Sequence, residues 1–268
     1  MRHGFLAFLL AAAVVAPTGG ARAEQAWQPR PDWESLFADA GVTGTILVAD
    51  ERSGEQWVWN AERAAERFCP ASTFKLPHAL FALDAGVLRD EFERIRWDGT
   101  EHAIAGWNGD QTLRSSMRHS TVWVYQRFAR ELGPERERAF LEKLGYGNRA
   151  VGDDVTTFWL DGSLRISAIE QVEFLRRLYR NQLPFAVEHQ RLVKDVMINE
   201  AGRDWIRRAK TGWHARSERQ VGWWVGWVET PTGAVFFALN IDMPNGGADV
   251  AKREGIGRAV LRAVGALP

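Results

Sequence analysis

The chain has 268 residues, with 34 Lys and Arg against 34 Asp and Glu, a balance that argues against the basic face a nucleic-acid partner needs. A single cysteine, Cys69, rules out an internal disulfide, and six histidines without an H-E-x-x-H or H-x-H pairing leave no recognisable metal site. Thirteen tryptophans in a chain of this length predict a large core, in one domain or two intimately joined parts.

In chain order, the first element is a targeting segment. Arg2 and His3 precede an apolar run from Phe5 to Ala16, and Ala21-Arg22-Ala23 supplies a small-x-small cleavage pattern. About 12 apolar residues are too few to cross a bilayer, so residues 1–23 read as a cleaved export signal and the protein as periplasmic. The mature chain, 24–268, loses Arg2 and Arg22 and no acid, and no later run approaches membrane-spanning length.

Two strand-like segments, TGTILVAD (43–50) and EQWVWN (55–60), flank a glycine-containing loop of hairpin length and predict a hairpin. Next comes CPASTFKLPHAL (69–80), in which Pro70 starts a helix carrying Ser72 and Lys75. Helices are predicted at 120–133, stopped by Gly133-Pro134, and at 135–145. Residues 149–166 lack any period and predict a long loop, which in a compact domain is usually functional. Ser167-Ala-Ile-Glu170 is a capping box before a stripe of Val172, Leu175, Leu178 and Tyr179, and a further helix is expected over 186–201, running into Gly202. Strands follow at 206–213, 220–229 and 234–242, the last two joined by Thr230-Pro-Thr-Gly233, and a final helix at 249–264. Short connections imply antiparallel pairing. The whole predicts an α+β fold, one catalytic domain with a sheet part (about 24–85 and 200–268), a helical part (about 86–199) and a cleft between them.

Ser72 and Lys75 are the chemical centre of this reading. At the start of a helix the Ser72 backbone N–H is free to donate to a developing oxyanion. Three residues on, Lys75 shares its face, and a buried amine is pushed toward its neutral form. A neutral amine accepts the serine proton and makes Ser72 a nucleophile. S-x-x-K alone is weak, and so, singly, are Ser120-Thr-Val122 at a helix start, Tyr146-Gly-Asn148 past a helix end and Lys210-Thr-Gly212 on a strand. Their conjunction in this order is far more specific, because S-x-x-K with K-T-G marks penicillin-recognising acyl enzymes. Gly145-Tyr-Gly147-Asn-Arg-Ala150 fits a dinucleotide motif only in letters, since it follows a helix rather than a strand.

With these motifs, and with Trp97-Asp-Gly99, Phe158-Trp-Leu160-Asp-Gly162, Arg165-Ile-Ser-Ala168 and GWWVGWVE (222–229), the chain resembles the class D, oxacillinase-type serine β-lactamases over essentially its whole mature length. The resemblance implies an antiparallel sheet flanked by helices plus an all-helical region. It implies hydrolysis of β-lactam antibiotics through a Ser72 acyl-enzyme, and hence resistance. Lys75 would be N-carboxylated by carbon dioxide and act as general base, held by the Trp159 indole, with no other cofactor. Ser120 would relay a proton to the leaving nitrogen. Lys210 and Thr211 would bind the substrate carboxylate, with Gly212 completing their motif and Tyr146 and Asn148 also set at the substrate. The backbone N–H groups of Ser72 and Trp213 would form the oxyanion hole, and Val122 and Leu160 would govern water access. An arginine near the start of the last helix is expected at the carboxylate, Arg253 being preferred to Lys252. The resemblance leaves monomer and homodimer open. The rival is a β-lactam sensor module whose adduct persists.

Overall fold

The computed structural model describes residues 26–268, so the expected export signal at 1–23 lies outside the described residues. Seven strands form one sheet: β1 (Gln28–Pro29), β2 (Gly44–Asp50), β3 (Gln56–Trp59), β4 (Ile198–Ala201), β5 (Ile206–His214), β6 (Val221–Thr230) and β7 (Gly233–Asp242), in the order β1-β3-β2-β7-β6-β5-β4. The β2–β3 hairpin and the β4-to-β7 meander are antiparallel and meet where β2 pairs with β7, from Gly44 opposite Ile241 to Asp50 opposite Val235. The two ends of the chain therefore close one sheet. Strand β1 departs from the antiparallel pattern, pairing with β3 in parallel.

Period-two alternation assigns each central side chain to a face. Leu47, Ala49, Trp223, Val225, Trp227, Phe236 and Ala238 point into one core, while Ile46, Val48, Trp224, Val228, Phe237 and Leu239 point into the other. Both faces are covered, which is why β2, β6 and β7 read as nearly continuous apolar runs. Among the described residues eight α-helices accompany the sheet: α1 (Glu34–Asp39), α2 (Ala61–Ala65), α3 (Lys75–Asp84), α4 (Leu113–His119), α5 (Val122–Leu144), α6 (Ala168–Tyr179), α7 (Val187–Val196) and α8 (Val250–Ala263). Helices α1 and α8 contribute to the second core, together with Trp33. Helices α3 to α7 build the first.

Helix α6 begins on the predicted capping box, with both reciprocal bonds formed between Ser167 and Glu170. It packs directly on β2, β6 and β7, so the helical part shares a core with the sheet and does not begin cleanly at residue 86. The two helices expected at 120–133 and 135–145 are one element bent at Gly133, whose φ of 75° interrupts the ladder before Pro134. Ser120 does not open that helix. It closes α4 in the left-handed region (φ 56°), and α5 starts at Val122 after Thr121. The helix expected over 186–201 stops at Val196, and Ile198–Ala201 pairs with β5 instead, so Gly202 caps nothing. Edge hydrogen bonding has overridden local propensity there.

Gly257 lets α8 lie against the sheet: a Cβ there would fall 2.3 Å from two ring carbons of Trp224. Gly257→Val should cost about 2 kcal/mol by overpacking. Thermal unfolding should show a Tm lower by roughly 5 °C; an unchanged Tm would mean that α8 can shift away without loss.

Candidate active site

The segment carrying Ser72 is fixed before any chemistry is considered. Ala71–Phe74 is a 3-10 turn leading straight into α3, and buried Ala71 has a φ of 46°, a strained backbone for a residue with a Cβ. Trp223 Nε1 donates to Cys69 O at 2.8 Å, tying this segment to the sheet. Gln171 Nε2 donates to Thr73 Oγ1 at 2.9 Å, tying it to α6. On β5, Gly212 gives the close approach: a Cβ there would lie 2.8 Å from Pro70 O.

Helix α3 is buried all round from Lys75 to Leu83, as a helix through the middle of a core must be. Lys75 is thereby carried into the interior with no exposure at all. Its Nζ lies 2.6 Å from Ser72 Oγ and 3.3 Å from Ser120 Oγ, and 5.3 Å from the centre of the Tyr125 ring. Burial holds its pKa well below the usual lysine value, and the neighbouring Lys210 lowers it further. Lys210 Nζ donates to Ser120 Oγ and to Thr211 O, both at 3.0 Å. Its own pKa is brought down to about 7, by burial first and then by Arg253, with Glu254 opposing. One hydroxyl, Ser120, thus sits between two buried amines.

A cleft of about 400 Å³ opens over this cluster. Of the residues expected at the site, Ser72, Ser120, Val122 and Leu160 line it from the helical side, and Thr211, Gly212, Trp213 and Arg253 from the sheet side. Trp107, Ala215 and Arg216 form part of the rim, together with Ile104 and His119, which no motif or periodicity marked. Lys75 and Lys210 lie behind the lining, so Lys210 faces Ser120 rather than the open cleft.

Tyr146 and Asn148, expected at the substrate, line no part of this cleft. Tyr146 is buried against Phe74 and Phe174, with ring centres 5.7 and 5.5 Å away. Asn148 donates to Ser163 O at 2.8 Å and accepts from Arg165 N at 2.9 Å. They brace the segment carrying Trp159 and Leu160 from behind. Asn and Gly past a helix end satisfy this bracing as readily as they would contact a ligand.

Trp159 is fully buried, and its indole N–H has no hydrogen-bond partner. A buried orphan donor is costly; Trp33, Trp224 and Trp227 carry one too, and what sets Trp159 apart is its packing against Phe74 and His78, which flank Lys75 on its helix. Cys69 donates its Sγ–H to Trp159 O at 3.1 Å, and burial pushes the thiol up to about 11, so it is no nucleophile at neutral pH. Arg253, almost wholly buried, donates Nη1–H to Gly212 O at 2.5 Å and Nε–H to Val250 O at 2.9 Å while lining the cleft. Lys252 pairs instead with Asp249 at 2.7 Å and lines no part of it. A larger hollow, about 740 Å³, includes Val42, Arg219, Asp242 and Met243 in its lining, but none of Ser72, Lys75, Ser120 or Lys210, so volume does not mark the site. Among the described residues no group of three or more His, Cys, Asp or Glu could hold a metal ion, and no helix is long and apolar enough to cross a membrane.

Comparison with known proteins agrees with this geometry. The family model "Penicillin binding protein transpeptidase domain" matches residues 42–262. β-Lactamase OXA-20 of Pseudomonas aeruginosa is 56% identical over 266 residues, 98% of this chain and 98% of its own length. β-Lactamase OXA-2 of Salmonella typhimurium is 57% identical over 250 residues, 92% of this chain and 90% of its own. Among solved structures, FUS-1 (OXA-85), a class D β-lactamase from Fusobacterium nucleatum subsp. polymorphum, superposes with a TM-score of 0.87 at 37% identity, covering 90% of this chain and all of that one.

The buried amine has a thermodynamic signature. With its folded pKa held well below the ordinary 10.5 by burial, Lys75 takes up a proton on unfolding at any pH between those two values. Stability therefore rises with pH across that window, by up to about 1.4 kcal/mol per pH unit. Urea unfolding in bicarbonate-free buffer from about pH 7.5 to about pH 9 should show a steeper rise for the wild type than for Lys75→Met, by about 1 kcal/mol per unit. Equal slopes would mean that Lys75 is charged when folded.

Proposed function

We propose, for a chain that belongs to the class D, OXA-type serine β-lactamases and hydrolyses β-lactam antibiotics, that Ser72 is the acylated nucleophile and that the Lys75 side chain is its base. The observation that carries this reading is the dry Lys75 amine 2.6 Å from Ser72 Oγ. A charged ammonium there would lack any carboxylate partner, whereas a neutral amine accepts a proton and adds carbon dioxide.

The residues present fit a carbamate on Lys75: the orphaned Trp159 N–H would donate to it, and Val122 and Leu160 would keep bulk water from it. Such a group would supply an anionic oxygen as general base for both acylation and deacylation. The remaining work falls to the chain itself. Ser72 Oγ gives up its proton toward the Lys75 side chain as it attacks the lactam carbonyl carbon. Backbone N–H groups of Ser72 and Trp213 receive the oxyanion, a contribution worth about 3 kcal/mol per donor in comparable sites. As the C–N bond breaks, the ring nitrogen takes a proton from Ser120, which is reprotonated by the proton the neighbouring Lys75 side chain took from Ser72, so the base is free again for the hydrolytic water. A water entering past Val122 and Leu160 then hydrolyses the Ser72 ester.

Thr211 and Arg253 hold the substrate carboxylate on the sheet side, with Lys210 contributing positive charge from behind them rather than direct contact. Ile104, Trp107 and Trp213 give the cleft an apolar rim suited to the aromatic side chains of oxacillin-type penicillins. One catalytic domain, 24–268, exported by residues 1–23 into the periplasm, would confer resistance on a bacterium carrying it.

Lys75→Ala should abolish turnover. Trp159→Ala should open about one equivalent of β-lactam in a burst, the opened drug staying on Ser72, and then turn over roughly 10²–10⁴-fold more slowly, the usual share of a general base. Rapid steady-state hydrolysis by that variant would remove the role given to the indole, whereas a persistent adduct in the wild type would favour the sensor reading. Activity should fall in acidic, bicarbonate-free buffer and return on adding bicarbonate. Arg253→Ala should lower kcat/KM for penicillins by about 10- to 100-fold, the loss expected for a charge-assisted hydrogen bond, and Lys252→Ala should leave it unchanged. The reverse ranking would move the carboxylate site to Lys252.

A further inference from the structure

One buried pair takes no part in the chemistry above. His78 and Glu137 are both wholly buried, and His78 Nε2 lies 2.7 Å from Glu137 Oε1. Two ionisable groups in a core are harder to keep there than two apolar side chains of the same volume, so packing alone does not account for them. Their position is specific. His78 follows Lys75 by three residues on α3 and shares its face, and Glu137 reaches it from the half of α5 beyond the bend at Gly133.

The His78 ring stands edge-on to the Trp159 indole, with centres 5.2 Å apart and planes at 65°. Phe74 and Phe158 also contact the indole, at 5.9 and 5.1 Å. Those apolar rings hold it by contact but are indifferent to which way its N–H is turned. His78 is different, because its own rotation is fixed by the bond to Glu137. With Nε2 committed to the Glu137 carboxyl, Nδ1 is left without a partner, as is the indole N–H. A polar ring of set orientation therefore backs the one indole whose donor the site needs.

We propose that His78, held by Glu137, is a positioning residue for Trp159: it sets the orientation of the indole and so how firmly carbon dioxide is retained on Lys75. The inference rests on the reading of Lys75 as the carboxylated base and adds to it a pair that touches neither substrate nor reacting atoms. Glu137 acts through His78, and His78 through Trp159.

Titration of the whole protein with carbon-13 bicarbonate reads the carbamate directly by NMR, without substrate. The informative variant is the double H78F/E137L, which keeps a ring against Trp159 and removes both ionisable groups, so that it should fold with a Tm equal to or above that of the wild type. It should need about tenfold more bicarbonate for half of the carbamate signal, the size of loss seen when a group that orients a ligand from behind is removed. Its kcat should fall in parallel at low bicarbonate and recover at excess, with KM unchanged. Glu137→Gln, which keeps an acceptor for the imidazole, should titrate close to wild type. A folded double variant with the wild-type titration would overturn the proposal and leave the pair purely structural. Absence of any carbamate signal in the wild type would instead remove the Lys75 reading, and this inference with it.

Discussion

Exclusion of water from one amine is the constraint on which the rest depends. The ammonium form of Lys75 is disfavoured, and what disfavours it first is the complete enclosure of α3. The desolvation penalty for an ion in a protein interior amounts to several kcal/mol, which no nearby carboxylate offsets here. Lys210 adds to the effect from the far side of Ser120. Helices α5 and α7 pack against α3, while β5 and β6 close on the Ser72 turn ahead of it, so the site lies where the two parts share a core.

The sheet does more than wall the cleft. Because β2 and β7 pair in its middle, the start and end of the chain are joined within one rigid element. Its β5 strand brings Thr211, Gly212 and Trp213 to the cleft, and Gly212 lets that strand approach the Ser72 turn closely enough to hold it. The bond from Trp223 to Cys69 O repeats the attachment from β6. Strain at Ala71 is thus borne by contacts on both sides, which is how a rare backbone conformation survives at a working site.

Strands β2, β3, β5, β6 and β7 were legible because short apolar runs and turn residues agree there, and α6 because its capping box is both a sequence pattern and a geometric one. The β4 strand was not, since INEA carries no alternation of its own and is a strand only because β5 offers an edge. Ser120 was misplaced by one element for a related reason: a serine before an apolar run looks like an N-cap, and only the packed structure shows it closing α4. At the site, motif order brought Ser72, Lys75, Ser120 and Lys210 together correctly, but it carries no direction. That Lys210 turns inward, that Asn148 braces a loop, and that His78 meets Glu137 across 59 positions are facts of packing rather than of spacing.

The enclosure of α3 also shapes how such a molecule can change. From Lys75 to Leu83 every side chain is packed on all sides, so almost any replacement there trades away stability. By contrast Ile104 and Trp213 are substantially open to solvent on the rim. Heritable adaptation to new drugs has little room in the machinery and much at the mouth, so lineages of this chain should diversify by re-lining the entrance while the interior stays nearly frozen.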